Sequence, residues 1–349
     1  MIARPIKTVS VIGAGSWGTA LARLLACKGY TIRLWAHELD VVESIRSTRR
    51  NEMYLPDFPL PDSLSAMGSL AEVVHGTDLL LLAVPSHAMH AILEQLRPHL
   101  ADPLPITIAT KGIEENSFHL MSNIVESLLP QPWHPFVTIL SGPSFAREVC
   151  QEKPTTILLA GHTSDLVTQL QHVFLTPQFR VYAGHDMIGA QIGGALKNVM
   201  AIASGIVDGL ELGFNTRAAL ITRGLAEMIR LGVAMGADVS TLYGLSGLGD
   251  LVLTCTGSLS RNYTVGLKLG QGSTLEEILS HTSTVAEGIR TTRAASGLAQ
   301  RHHIEMPIVD GVHQVLFEGM DPRQAVANLM NRAAKVETDR ALYSSTPQR

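Results

Sequence analysis

The sequence predicts an α/β protein: a doubly wound, mostly parallel sheet in the first half, then an all-helical second half. Three observations carry this. Up to about residue 188, short apolar runs rich in β-branched residues alternate with helical patterns, as expected for strands buried on both faces by crossover helices. Beyond that point Ala, Leu, Met and Gly recur at helical spacing. Between the first strand pattern and the first helix pattern sits a glycine-rich turn, Gly13-Ala-Gly15-Ser-Trp-Gly18.

The strand patterns fall at 8–12, 31–35, 79–84, 106–109, 137–140 and 155–159, with helical stretches at 18–28, 86–96 and 117–128 between them. The second half reads as helices at 188–210, 216–235, 260–271, 275–280, 286–302, 308–317 and 322–331. A chain of 349 residues suits two domains, divided as 1–190 and 191–349, with a polar, frayed tail from 335.

Composition narrows the function. With 46% hydrophobic residues the chain can build a sizeable core, and a net charge of −4 offers no basic excess for nucleic acid. Cys27, Cys150 and Cys255 are too far apart for a CxxC pair and make a poor disulfide framework. A reducing, cytoplasmic setting is expected. The apolar stretch 188–207 carries Gln191, Lys197, Asn198 and several glycines, so no membrane span is expected. The glycines at 13, 15 and 18 interrupt what could pass for a signal peptide. Fourteen histidines show no metal-ligand spacing, so no metal is expected, and no G-x-S-x-G element supports a serine hydrolase.

The glycine turn meets the requirements of a dinucleotide fingerprint. Gly13 permits the tight turn, Gly15 clears space for pyrophosphate, Gly18 lets helix pack on strand, and the helix N-terminus attracts phosphate. The second strand ends at His37-Glu38, with Arg33, Arg46, Arg49 and Arg50 nearby. A cationic or neutral residue there tolerates a 2′-phosphate and suits NADPH. Solvated arginines around an ordinary loop fit the same residues, so NADPH and NADH both stay in play.

Lys197 lies in an otherwise almost uncharged helix. Burying its ammonium requires a partner and lowers its pKa, which suits proton donation to a carbonyl oxygen. A snorkelling lysine is the competing reading, but no polar face accompanies it. Asp250, in Gly-Leu-Ser-Gly-Leu-Gly-Asp, could balance that lysine or serve as a simple turn residue. Ser260 can cap a helix opened by Arg261 and Asn262, a plausible phosphate site and equally a solvated helix start. Lys111 and the loop 141–144 follow strands and could face the same cleft.

Together, the stretches around 11–22, 83–87, 110–114, 140–146, 195–199, 247–250, 260–262 and 285–288 resemble the bacterial-type NAD(P)-dependent glycerol-3-phosphate dehydrogenase family. They occur in family order, and the Lys197-Asn198, Gly-Leu-Gly-Asp250 and Ser260-Arg261-Asn262 set is far more specific than the fingerprint. The resemblance implies a Rossmann-type domain followed by a helical one, the 6-phosphogluconate-dehydrogenase-like arrangement. It also implies reversible interconversion of dihydroxyacetone phosphate and sn-glycerol 3-phosphate for phospholipid synthesis, in a homodimer. By the same resemblance Lys197 is the general acid and base, supported by Asp250 and Lys111. Lys111, Gly142, Ser144, Lys197, Asp250, Ser260, Arg261 and Asn262 line the substrate. Gly13, Gly15, Ser16, Trp17, Gly18, His37, Lys111, Ala146, Arg261, Val285 and Glu287 meet the cofactor. A hydroxyacid dehydrogenase of similar architecture and a non-catalytic NAD(H) sensor are the alternatives. The first would use Arg261 for a carboxylate; the second would have no reason to bury Lys197 near an acid.

Overall fold

A computed structural model describes residues 5–280, 286–334 and 336–337. The first half runs β1 (Thr8–Ile12), α1 (Ser16–Cys27), β2 (Thr31–Trp35), α2 (Leu39–Thr48), β3 (Leu64–Met67), α3 (Leu70–Val74), β4 (Leu79–Leu82) and α4 (Met89–Leu96). It continues with β5 (Ile106–Ile108), α5 (Met121–Leu128), β6 (Val137–Ser141), α6 (Ala146–Cys150), β7 (Thr155–Gly161), α7 (Ser164–Phe174) and β8 (Phe179–Gly184). These strands form one eight-stranded sheet in the order β3-β2-β1-β4-β5-β6-β7-β8. The apolar strands bury both faces: Leu79 and Leu81 of β4 join one core, Leu80 and Leu82 the other.

The structure departs from expectation in definite places. β3 and β8 were not predicted; they flank the sheet and alternate buried with exposed residues over only four and six positions, too little for a continuous apolar signal. α2 and α7 were also missed. β7 runs antiparallel to β6, and β8 runs parallel to β7, so the last two strands point away from the edge where the others end. The expected helix at 117–128 begins only at Met121, because Phe118 adopts a left-handed conformation (φ 62) to pack on Gly297. The helix expected from 18 starts at Ser16, inside the glycine turn itself.

The second half is helical: α8 (Met187–Gly209), α9 (Gly213–Ala234), α10 (Val239–Tyr243), α11 (Asp250–Thr256), α12 (Arg261–Gly270), α13 (Leu275–Ser280), α14 (Glu287–His302), α15 (Pro307–Phe317) and α16 (Pro322–Met330). α8 is long and apolar enough to cross a membrane by length and composition, yet its apolar window is entirely buried inside this fold. Its hydrophobic circumference is explained by burial on all sides. Met187 and Ala190 at its start belong to the sheet's core, and Ile192 onward to the helical core.

Glycines set the closest approach. Gly205 and Gly209 of α8 face Gly266 and Gly270 of α12. A Cβ at Gly205 would overlap the Tyr263 carbonyl, and one at Gly266 would overlap the Ile202 carbonyl. A polar pair sits beside this contact: Tyr263 Oη donates to Asp208 Oδ2 at 2.7 Å, and Arg217 Nη1 pairs with the same oxygen at 2.6 Å.

Candidate active site

The glycine turn is built as its sequence requires. Gly13 has φ +112 and lies so close to the Ala83 carbonyl that a Cβ would stand 2.7 Å from it. A Cβ on Gly18 would overlap the Gly13 carbonyl, so helix and turn meet only through glycine. At Gly15 the direction of a Cβ meets none of the described residues within 4 Å. The protein leaves open space there beside the N-terminus of the 12-residue α1, and this cradle fits a pyrophosphate. Ser16 Oγ donates to the Tyr54 carbonyl at 2.9 Å, while the buried Trp17 Nε1 has no hydrogen-bond partner among the described residues. His37 is exposed past the end of β2, its ring 6.0 Å from that of Trp35.

Lys197 is 8% exposed, and its Nζ donates to Oδ1 of the fully buried Asp250. The other carboxylate oxygen accepts from Lys111 Nζ at 2.7 Å. Two ammonium groups thus share one carboxylate. Each element contributes for a local reason. A wide π-type turn at Leu245–Gly249 lets Asp250 open α11 facing α8. There Gly193 leaves no room for a Cβ against the Ser246 carbonyl. Lys111 follows β5 on a loop fastened by Thr110 Oγ1 donating to the Val84 carbonyl at 2.8 Å. Burial pushes the Lys197 ammonium down from 10.5 to about 7, with Asp250 opposing and Lys111 adding to the fall. A lysine in that range exchanges protons near neutrality.

Lys111 Nζ also donates to the Gly142 carbonyl at 3.0 Å, and Ser144 Oγ donates to the same carbonyl at 2.9 Å. Lys111, Gly142, Ser144, Lys197 and Asp250 therefore form one hydrogen-bonded group. Ser260 accepts from the Tyr263 N–H at 3.2 Å as cap of α12, leaving Arg261 and Asn262 at its first turn. Asn262 is more committed than its proposed phosphate role requires. Its Nδ2 donates to Asn198 Oδ1 and its Oδ1 accepts from the Gly288 N–H, both at 2.9 Å. Glu287 spans the two halves of the chain, accepting from Ser86 N at 3.2 Å and Ser86 Oγ at 2.6 Å. Ala146 opens α6 and is partly buried. Val285 lies outside the described residues.

Two family models match, the NAD-dependent glycerol-3-phosphate dehydrogenase N-terminus over residues 8–167 and the C-terminus of the same family over 186–327. The chain belongs to the NAD-dependent glycerol-3-phosphate dehydrogenase family. It is 52% identical to a glycerol-3-phosphate dehydrogenase [NAD(P)+] of Geobacter metallireducens and 50% identical to one of Syntrophotalea carbinolica. Each alignment covers 95% of this chain and 99% of the relative. The crystal structure of glycerol-3-phosphate dehydrogenase from Coxiella burnetii superposes with a TM-score of 0.90 at 43% identity, covering 94% of this chain and all of that one.

Within this family member the structure gives a place to residues that the sequence left without a role. Thr254 Oγ1 donates to the Asp250 carbonyl at 2.6 Å and lies 3.4 Å from Asp250 Oδ1. Its position four residues after Asp250 on a helix was the available signal. Asn198, beside Lys197, holds Asn262. Ser86 holds Glu287 across 201 residues of sequence, a pairing no local pattern announces. Ser141 carries a buried hydroxyl without a hydrogen-bond partner among the described residues, packed against Gly194 one turn before Lys197.

Proposed function

We propose that the chain reversibly interconverts dihydroxyacetone phosphate and sn-glycerol 3-phosphate, with Lys197 as the group that gives and takes the substrate proton. The observation that carries this is the buried Lys197–Asp250–Lys111 group, lying beyond the ends of β5 and β6 in a chain whose first turn is a dinucleotide fingerprint. The turn at Gly13, Gly15, Ser16, Trp17 and Gly18, with His37, Ala146, Arg261, Val285 and Glu287, would hold NADH or NADPH, which supplies hydride when bound.

Protonated Lys197 delivers its proton to the ketone oxygen as the carbon is reduced, and neutral Lys197 removes the hydroxyl proton in reverse. Asp250 orients Lys197 and offsets part of the cost of burying a cation. Lys111, 16% exposed at its side chain, turns a second positive charge toward the same place, which suits an oxygen gaining negative character. Arg261 and the unpaired N–H groups at the start of α12 suit the substrate phosphate, with Ser260 setting that helix start. Gly142 and Ser144 join the site beside Lys111 through the Gly142 carbonyl.

The product would supply phospholipid backbones in the cytoplasm, and the working unit would be a homodimer formed through the helical half. Light scattering on purified protein tests the dimer. The reaction is tested by following oxidation of NADH and of NADPH with dihydroxyacetone phosphate, using unphosphorylated dihydroxyacetone and a 2-keto acid as controls. Turnover confined to the phosphorylated ketone supports the reading. Turnover of the keto acid alone would replace it with a hydroxyacid dehydrogenase.

A further inference from the structure

The end of β2 bears on which dinucleotide is favoured. Glu38 stands about twenty residues past Gly18, the spacing at which an acidic residue meets the adenosine ribose. The Gly13 N–H donates to the Trp35 carbonyl at 3.1 Å, so the segment leaving β2 runs beside the glycine turn. Tyr54 fixes Glu38 there: its Oη donates to Glu38 Oε1 at 3.0 Å, and its carbonyl accepts from Ser16 Oγ. The loop bearing Tyr54 is stapled to the same turn by the fully buried Asn51, whose Nδ2 donates to the Ala14 carbonyl and to Thr19 Oγ1, each at 2.8 Å. Burial and Glu38 both raise the pKa of the Tyr54 phenol, which keeps it a donor and leaves Glu38 Oε2 to accept.

Arg261 of α12 is near enough to Tyr54 for its charge to oppose that rise, and each arginine on the segment itself spends at least one nitrogen on a backbone carbonyl. Arg33 donates to the His75 carbonyl, Arg49 to the carbonyls of Leu60, Pro61 and Leu64, and Arg50 to that of Pro56. Arg46 Nε donates to the Ala66 carbonyl at 3.1 Å, so among these four arginines it is the one that keeps both terminal nitrogens outside a bond to the described residues, whereas Arg33 and Arg50 each engage one terminal nitrogen.

We infer that Glu38, held by Tyr54, makes this chain favour NADH over NADPH. Its free carboxylate oxygen accepts from a ribose hydroxyl, whereas a 2′-phosphate would bring like charges together. The inference rests on the dinucleotide lying at the glycine turn.

Calorimetric titration of the full-length protein with ADP-ribose and with its 2′-phosphate form tests both without turnover. Wild type should bind ADP-ribose at least about tenfold more tightly, and Glu38→Gln should bring the two within about threefold. Arg46→Ala should keep the wild-type order. Equal or tighter binding of the 2′-phosphate form by wild type, or an unchanged ratio in Glu38→Gln, would overturn the assignment. So would a preference that appears or disappears with Arg46. Failure of both ligands to bind would overturn the placement at the glycine turn as well.

Discussion

Lys197 and Asp250, 53 residues apart in sequence, form a buried ion pair in which the carboxylate is shared with a second lysine. If Lys197 is the proton carrier, a side chain of similar length without a titratable group should stop chemistry and spare binding. Lys197→Met is expected to lower kcat for dihydroxyacetone phosphate reduction about 10²- to 10⁴-fold. NADH affinity by fluorescence titration should stay within a few-fold of wild type. Near-normal kcat would remove Lys197 from the proposed role.

The pH dependence follows from the direction of the Lys197 shift. Reduction needs the ammonium, so its rate should fall as pH rises through about 7; oxidation of the alcohol needs the neutral amine and should rise over the same range. Asp250 is the group that favours the charged form. In Asp250→Asn both limbs should move about one pH unit or more toward acid, alongside a loss of kcat. Profiles of kcat in both directions, for wild type and variant, measure this.

A methyl group at the crossing of α8 and α12 should be costly. Gly266→Ala would drive a Cβ into the Ile202 carbonyl, and backbone offers no rotamer with which to yield. A loss of about 1–3 kcal/mol or more is expected, visible as a lower midpoint in chemical denaturation. Ala at Gly311, where the Cβ direction is open, is the control and should change stability little.

Glu227 supplies a stability test far from the chemistry. It is 1% exposed and accepts from the N–H groups of Ile308 at 2.7 Å and Val309 at 3.3 Å, at the start of α15. Burial pushes its carboxyl up from 4.5 to about 7, against the pull of those two donors. Between these values the folded protein holds a proton that the unfolded chain has released. This contribution is therefore complete below about 4.5 and lost as pH rises through about 7. The thermal midpoint of wild type should fall relative to Glu227→Gln between pH 5 and 8. A constant difference between the two would show that Glu227 does not titrate in that range.

Much of this architecture is legible in the residues. Strands β1, β4 and β5 announce themselves because burial on both faces demands unbroken apolar runs. Edge strands β3 and β8 do not, since one face meets water and the alternation is short. The reversal of β7 is invisible locally: Thr155–Gly161 has the same composition in either direction, and only its pairing distinguishes them. In the site, Lys197 and Asp250 stand out because a charge in an apolar setting requires a chemical reason. Asn198 is marked by its place beside Lys197, but neither its bond to Asn262 nor that of Ser86 to Glu287 is, because folding alone brings those partners near.

The route of α8 ties the chemistry to helical phase. Because β7 and β8 run opposite to the other strands, the helix that follows them starts at the far end of the sheet and climbs past β6. It enters the second core without a break, and Lys197 lies three residues beyond the glycine that touches Ser141. No loop separates the foundation of this helix from its reactive side chain, so an error in spacing has nowhere to be absorbed. One residue inserted between Ala190 and Ile192 would turn the second core's half of α8, with Lys197 and Asp250 together, about 100° relative to the sheet that carries Lys111, while each core could still keep its own half of the helix. In this chain the count of residues along α8 is as much a part of the active site as the lysine itself.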